Sequence, residues 1–184
     1  ARVGARLWIA RIMIVWGLVS AAMMYVDSVP LFYASRFLLG VAEAGFFPGM
    51  ILYLTYWFPA SERAKAVAQF MTGTAIANVI GGPLSGLLLT LDGTMGLAGW
   101  QWLFLVEGIP AVLLGFFVLY YLTEGPADAH WLTADERKWL IARMEADRAA
   151  SVSGHDSSSL KAALLSPRVW YFGLLYFTIV VGFY

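Results

Sequence analysis

Long apolar runs separated by short polar connections dominate the chain. Four of them extend over about 7–26, 31–58, 64–91 and 100–122. A helix rises about 1.5 Å per residue, so about 20 apolar residues are needed to cross the roughly 30 Å hydrocarbon core of a bilayer. Length therefore favours membrane-spanning helices over buried strands. A fifth apolar stretch, 167–184, begins another span without completing it.

The composition supports a membrane environment. Of the 184 residues, 60% are hydrophobic and 13% are charged, whereas a soluble domain has about 25% charged residues. The formal net charge is zero, so no basic excess indicates a nucleic-acid partner. The chain has no cysteine, and both histidines, His130 and His155, lie in polar stretches. We therefore predict an all-α polytopic membrane protein with no catalytic residues, metal site or cofactor.

The distribution of basic residues predicts the topology. The connections at 27–30 and 91–99 contain no Lys or Arg. Eleven of the twelve basic residues fall on the other side, which the positive-inside rule makes cytoplasmic. We expect a multi-pass protein of the inner (plasma) membrane, with residues 124–166 in the cytoplasm. The eleven residues are Arg2, Arg6, Arg11, Arg63, Lys65, Arg137, Lys138, Arg143, Arg148, Lys161 and Arg168.

The polar segment 124–166 has its own organisation. Thr133 and Glu136 have the spacing of a capping box, which predicts a short helix reaching about Arg148. The serine-rich stretch 151–159 is typical of a linker. Because the chain starts in a basic run and stops in an apolar one, we also expect it to be a piece of a longer protein.

Two charged residues within the second span indicate a functional site, because charge inside a membrane is costly. Arg36 lies roughly 9 Å below the start of the span, and Glu43 roughly 20 Å deep, near the bilayer centre. Seven residues apart, they share nearly one helix face and are separated by about 10 Å along the axis. That separation is too long for a direct salt bridge, so the stripe faces either a wet cavity or partners on other helices.

The chemistry of the two groups suits an anion and a proton. The planar guanidinium of Arg36 stays charged and can hold both oxygens of a carboxylate. Desolvation disfavours the ionised form of a carboxyl, so Glu43 can bind and release a proton. The alternative for Arg36 is that it extends towards the membrane surface or pairs with a neighbouring helix.

Other polar residues in the spans are weaker candidates. We expect Glu107 to bond to backbone at a helix junction beside Gly108 and Pro110. Thr74 and Asn78 share a face of the third span at i, i+4 spacing. They either line the same cavity or form hydrogen bonds between helices.

Small residues predict close helix contacts. Gly45 and Gly49, and likewise Gly82 and Gly86, have small-xxx-small spacing. Pro83 is expected to bend the third span, because it removes a backbone donor.

Several segments in order resemble the anion:cation symporter family of the major facilitator superfamily. Residues 36–49, RFLLGVAEAGFFPG, are similar to its fourth-helix signature, and 57–66, WFPASERAKA, to the turn that follows. Residues 82–86, GPLSG, resemble part of its fifth-helix motif, although Asn78 stands where many members have Gly. Residues 100–108, WQWLFLVEG, resemble the start of the sixth helix. Residues 126–137, PADAHWLTADER, are similar to the central loop of bacterial tartrate- and phthalate-type permeases.

The resemblance implies an organisation for the whole chain. Residues 1–123 would hold helices three to six, the C-terminal part of the N-terminal six-helix half of a twelve-helix fold. Residues 124–166 would be the cytoplasmic linker, and 167–184 the start of helix seven. The remaining helices of the full-length chain would complete the bundle.

The resemblance also implies roles for individual residues. Arg36 corresponds to the residue tied to binding the organic anion, and Glu43 to the one tied to proton coupling. Arg2 and Arg6 would belong to the gating loop between helices two and three, where Ala1 replaces the usual Asp.

The sequence therefore predicts a secondary active transporter that carries a small organic anion, such as tartrate, phthalate or a sugar acid, together with a proton by alternating access. Two alternatives stay open: a facilitator or exporter of neutral solutes, and a truncated membrane subunit that does not transport. A membrane-embedded enzyme is disfavoured, because the sequence offers no nucleophile or metal cluster near the surface.

Overall fold

A computed structural model describes residues 4–152 and 164–183, with side chains for 4–150 and 164–179. The regular structure in these ranges is helical, so the predicted all-α fold is confirmed. Three short 3-10 helices, Met23–Tyr25, Thr94–Gly96 and Pro126–Asp128, lie in the connections. The α-helices are α1 (Ala5–Ala22), α2 (Val29–Glu43), α3 (Phe46–Trp57), α4 (Ala60–Leu89), α5 (Gly99–Tyr121), α6 (Ala134–Val152) and α7 (Pro167–Phe183).

Four stretches in the described residues are long and apolar enough to cross a membrane: Ala5–Tyr25, Val29–Trp57, Ala60–Leu89 and Gly99–Tyr121. The third starts earlier than the expected position of about 64, because α4 begins directly after Pro59. Helix α7 has 17 residues, fewer than the about 20 that a crossing needs.

The second span is broken, which the sequence reasoning did not predict. Helix α2 ends at Glu43 and α3 begins at Phe46. The amide of Ala44 still donates to the carbonyl of Gly40 at 3.0 Å, and the amide of Gly49 donates to the carbonyl of Gly45 at 3.1 Å. Pro48 explains the interruption, because proline has no N–H to donate and its ring clashes with the carbonyl four residues earlier.

Helices α1 and α5 form the most extensive contact in the described residues. A Cβ atom added to Gly17 would lie 2.6 Å from the carbonyl oxygen of Gly108, and one added to Gly108 would lie 2.7 Å from the amide nitrogen of Ala21. A Cβ on Gly115 would lie 2.6 Å from Cγ1 of Ile14. As residue numbers rise along α1, the numbers of the residues they contact fall along α5, so the two helices are antiparallel. Only glycine allows the two backbones to approach this closely.

The side-chain amide of Gln101 links the end of the first span to the start of α5. Gln101 Nε2 donates to the carbonyl of Met24 at 2.7 Å, and Gln101 Oε1 accepts from the amide of Ala98 at 2.7 Å. Asp92 Oδ1 accepts from the amide of Gly99 at 2.8 Å. These bonds satisfy polar groups at helix ends, where the intrahelical pattern leaves them unpaired.

Two compact units are present, Ala1–Met144 and Glu145–Tyr184. In the second unit, the indole of Trp170 donates to the carbonyl of Leu164 at 2.7 Å. Helix α6 begins in the first unit, extends past the predicted end near Arg148 and finishes at Val152 in the second. The rest of the predicted linker, 153–163, lies outside the described residues.

The capping box that the sequence predicts is present at the start of α6. The amide and hydroxyl of Thr133 donate to Glu136 Oε2 at 2.9 and 2.8 Å, and the amide of Glu136 donates back to Thr133 Oγ1 at 3.3 Å. The backbone bond and then the hydroxyl bond stabilise the carboxylate, so the pKa of Glu136 is lowered from 4.5.

The close α1–α5 contact predicts that Gly108→Ala destabilises the bundle, because its new Cβ meets backbone of α1. Overpacking of this kind costs about 1–3 kcal/mol. Thermal unfolding of the full-length protein in detergent measures the loss. Gly125→Ala is the matched control, since a Cβ at Gly125 meets nothing within 4 Å. Equal stability of the two variants would contradict the close contact.

The capping box predicts a pH dependence for the first turn of α6. Because the pKa of Glu136 is lower in the folded state, its capping contribution is complete above the unfolded pKa and is lost as pH falls through the folded one. In an NMR titration of the Glu136 carboxyl, Thr133→Ala is expected to move that pKa upward, whereas Thr133→Ser retains it. A wild-type pKa at the ordinary value would disprove the assignment.

Candidate functional site

Glu43 is the last residue of α2 and borders the helix break. Helix ends leave backbone groups without intrahelical partners, with partial negative charge at the C-terminus and partial positive charge at the N-terminus. Ala44 and Gly45, which follow Glu43, keep α-helical backbone angles, so the interruption beside this carboxyl is a local loss of backbone pairing within one span. Irregular backbone at membrane depth is tolerated where it is buried in protein or lines a cavity.

The stripe of Arg36 and Glu43 is not covered by the helices described. Both side chains are exposed, and neither is ion-paired within the described ranges. A Cβ added to Gly40, which lies between them on the same face, would meet nothing within 4 Å. The guanidinium carbon of Arg36 lies 5.3 Å from the ring centroid of Phe32. An unpaired cation and an unpaired carboxyl thus face the same way from one helix.

The other side of the same span faces α1. Val41, Ala42 and Gly45 line a cavity of about 330 Å³ together with residues of α1. A Cβ on Gly45 would lie 3.0 Å from Ile12 Cδ1. Helix α1 therefore covers the face of this span that lies away from the Arg36–Glu43 stripe.

Trp8 and Arg11 of α1 lie on this side of the span, and the sequence analysis assigned Trp8 no role. The indole Nε1 of Trp8 donates to the carbonyl of Gly45 at 3.2 Å. The guanidinium carbon of Arg11 lies 4.7 Å from the Trp8 ring centroid. Arg11, which the sequence analysis places on the cytoplasmic side, lies near the start of α1 in the first candidate span, and its side of the membrane stays a prediction. The position of Arg11 inside an apolar run was the available signal of this placement.

Thr74 and Asn78 lie on α4, and both are exposed. Among the described residues neither side chain forms a hydrogen bond. Helix α4 contacts α3 and α5 but makes no extensive contact with α2. The structure does not bring these two side chains to Arg36 or Glu43, and their role as cavity lining stays a prediction.

Glu107 is exposed on α5. The bond to backbone that was expected beside Pro110 is not formed within the described residues. The neighbouring Gly108 occupies the contact with α1, so Glu107 points away from that junction. A structural role for Glu107 stays a prediction.

The two glycine pairs differ in their surroundings. Gly45 and Gly49 admit the indole of Trp8, because an added Cβ would lie 3.0 Å and 2.9 Å from its atoms. Cβ atoms on Gly82 and Gly86 would meet nothing within 4 Å in the described part of the chain. Helix α4 continues through Pro83 to Leu89.

Arg6 joins the start of α1 to the segment after α5. Its Nε lies 3.8 Å from Glu124 Oε1, and its Nη1 donates to the carbonyl of Leu122 at 3.5 Å. The hydroxyl of Tyr53 on α3 donates to the carbonyl of Thr123 at 3.0 Å. Arg2, the other predicted gating residue, lies outside the described residues.

An aromatic cavity of about 530 Å³ adjoins these contacts. Trp131 stacks on Trp57, with ring centroids 5.6 Å apart and an interplanar angle of 15°. The lining contains no charged residue, so the cavity does not provide a counter-charge for an anion. Elsewhere in the described ranges, no cluster of His, Cys, Asp or Glu could hold a metal ion.

Comparison with known proteins identifies relatives over the full chain. It is 54% identical over 183 residues to a protein of Agrobacterium vitis named "Putative tartrate transporter". It is 48% identical over 185 residues to "Putative metabolite transport protein NicT" of Pseudomonas putida. It is 40% identical over 183 residues to "Inner membrane transport protein RhmT" of Escherichia coli.

These alignments cover 100% of the chain but 42% of each of the three relatives. The chain thus spans less than half the length of proteins named as transporters. No solved structure matches it.

The sequence profile of the Major Facilitator Superfamily matches residues 1–184. The expected superfamily resemblance is confirmed, and the family is one of transporters rather than enzymes. With four candidate spans in the described residues, the chain is part of a multi-pass membrane protein, and it belongs to the Major Facilitator Superfamily.

Proposed function

We propose that the full-length protein is a secondary active transporter that moves a small organic anion together with a proton by alternating access. The observation that carries this proposal is the uncovered stripe of Arg36 and Glu43 on one side of a broken membrane helix. The printed name of the Agrobacterium vitis relative, which refers to tartrate, supports a carboxylate as the anion.

Arg36 is the proposed anion-binding residue. Its guanidinium is permanently charged and can form two parallel hydrogen bonds with one carboxylate. Within the described residues no carboxylate neutralises it. A cation held in a membrane span without a partner favours an anionic substrate, because the bound anion lowers the cost of keeping that charge in the membrane.

Glu43 is the proposed proton site. Its neutral form is favoured when the site is closed to water, and its ionised form when water enters. Alternating exposure to the two sides of the membrane would load and release one proton in each cycle. Thr74 and Asn78 are proposed to line the same cavity from α4, with hydroxyl and amide groups suited to an oxygen-rich substrate.

The proposed placement is the inner membrane, with residues 124–166 in the cytoplasm. The basic residues on one side of the spans and the printed name of the Escherichia coli relative support it. Residues 1–123 would belong to the N-terminal half of the transporter, and 167–184 would begin the next half. The Arg6–Glu124 ion pair would then lie on the cytoplasmic side as a gating contact.

Substitutions at the two charged residues test the proposal in the full-length protein, reconstituted in proteoliposomes with tartrate as the first anion. Glu43→Gln is expected to abolish accumulation driven by a pH gradient while exchange of substrate across the membrane persists. Arg36→Lys is expected to raise KM about tenfold, equivalent to about 1.4 kcal/mol, because lysine cannot form the two-point bond. Glu107→Gln is the comparison, and retained coupling is expected there.

Intact proton-driven uptake in both Glu43→Gln and Arg36→Lys would reject the residue assignment.

Competition experiments test whether the substrate is an anion. Dicarboxylates are expected to inhibit uptake far more strongly than their neutral diamides of the same size, because only the former offer Arg36 a charge partner. A facilitator of neutral solutes would give the reverse order. The inhibition constants of matched acid and amide pairs in the same vesicles decide between the two.

A further inference from the structure

We propose that the groove between α1 and the second span binds an anionic phospholipid, with Arg11 contacting the lipid phosphate and the apolar wall contacting part of an acyl chain. The groove lies on the side of the second span away from the Arg36–Glu43 stripe, so it is separate from the proposed substrate site. Such a site requires only a membrane-embedded chain, whatever the protein transports.

Arg11 carries a charge inside the apolar run of the first span. It lies six residues after Ala5, the first residue of α1, which corresponds to about 9 Å along the helix. Its guanidinium carbon lies 4.7 Å from the ring centroid of Trp8, about one turn nearer that end of the helix. Long basic side chains near the ends of membrane helices extend towards the interface in this way. The charge of Arg11 is therefore directed at the headgroups of the leaflet in which α1 begins.

The guanidinium of Arg11 can still form hydrogen bonds. Contact with the indole occupies one face of the planar group, whereas its N–H groups point outward in the plane. Within the parts of the chain whose side chains are described, Arg11 forms neither a hydrogen bond nor an ion pair, and it is exposed. A phosphate matches these donors, because two of its oxygens can accept from two N–H groups of one guanidinium.

The groove changes from polar to apolar along α1. Trp8 and Arg11 lie at its outer end, and the wall of this cavity of about 330 Å³ continues towards the bilayer centre with aliphatic side chains. These side chains belong to Ile12, Val15, Val41 and Ala42. Val15 is 42% exposed and Val41 is 61% exposed, so the wall is open at its side. A charged end followed by an aliphatic wall fits a lipid, whereas a small hydrophilic anion would leave that wall uncovered.

The charge of the neighbouring leaflet agrees with this occupant. In the proposed topology the basic residues place the start of α1 on the cytoplasmic side, where anionic lipids create a negative surface potential. Basic pockets between membrane helices on that side bind anionic headgroups. A zwitterionic lipid carries an ammonium beside its phosphate and so offers Arg11 less net charge. The site is therefore expected to prefer phosphatidylglycerol to phosphatidylcholine.

The test measures lipid binding to the full-length protein in a neutral detergent, with native mass spectrometry giving the Kd of the first bound phosphatidylglycerol. Arg11→Gln is expected to raise this Kd about fivefold, the effect of losing one basic group that faces a lipid headgroup. Arg11→Lys keeps the charge and is expected to bind more tightly than Arg11→Gln. The matched control is Arg143→Gln, which removes the same exposed charge from α6, outside the candidate spans.

A second variant tests the apolar part of the groove. Ala42→Leu narrows the cavity without changing a charge. It is expected to raise the Kd for phosphatidylglycerol about fourfold, the equivalent of one methylene group no longer buried. Inorganic phosphate, added at the same concentration as the lipid, is expected not to compete.

A higher Kd in both Arg11→Gln and Ala42→Leu, with Arg143→Gln unchanged, supports the lipid site. An unchanged Kd in Arg11→Gln overturns it, because the rest of the full-length chain then covers the groove. An unchanged Kd in Ala42→Leu, an equal rise in Arg143→Gln, or full competition by inorganic phosphate overturns it as well. Transport plays no part in these measurements, so they are independent of the proposed function.

Discussion

The direct backbone contact between α1 and α5 is the constraint on which the described bundle depends. Lipid is as apolar as the side chains it surrounds, so helices in a membrane associate through close packing and hydrogen bonds. Gly17, Gly108 and Gly115 remove the side chains that would keep these two helices apart. The contact fixes α1, and α1 in turn brings Trp8 to the break in the second span.

The break between α2 and α3 sets the backbone surroundings of Glu43. A continuous helix would satisfy its own backbone and leave Glu43 as an isolated carboxyl in an apolar setting. The interruption near Pro48 instead places backbone with incomplete helical pairing next to it. Helix α1 covers one side of the span, whereas the side that carries Arg36 and Glu43 is exposed among the described residues.

Sequence reasoning predicted four long apolar stretches that are helical in the structure, because length and hydropathy are the physical requirements of a bilayer. It also predicted the capping box of α6, which depends on two residues close in the chain. It did not predict the break in the second span, because length and hydropathy take no account of the backbone N–H that Pro48 lacks. It did not predict the close contact at Gly108 either, because residue spacing on one helix does not tell which other helix will approach it. For Thr74 and Asn78, the described helices offer no neighbour that would decide between cavity lining and helix contact.

The stacking of Trp131 on Trp57 has a mechanical consequence. A polar segment that follows a membrane helix normally acts as a loose tether, whose reach grows with the number of its free residues. Here the chain beyond Tyr121 is fastened at Thr123 by Tyr53 and again at Trp131 by Trp57. The first part of this polar segment is therefore held against the helices it leaves, and the compact unit that contains it extends to Met144 within α6.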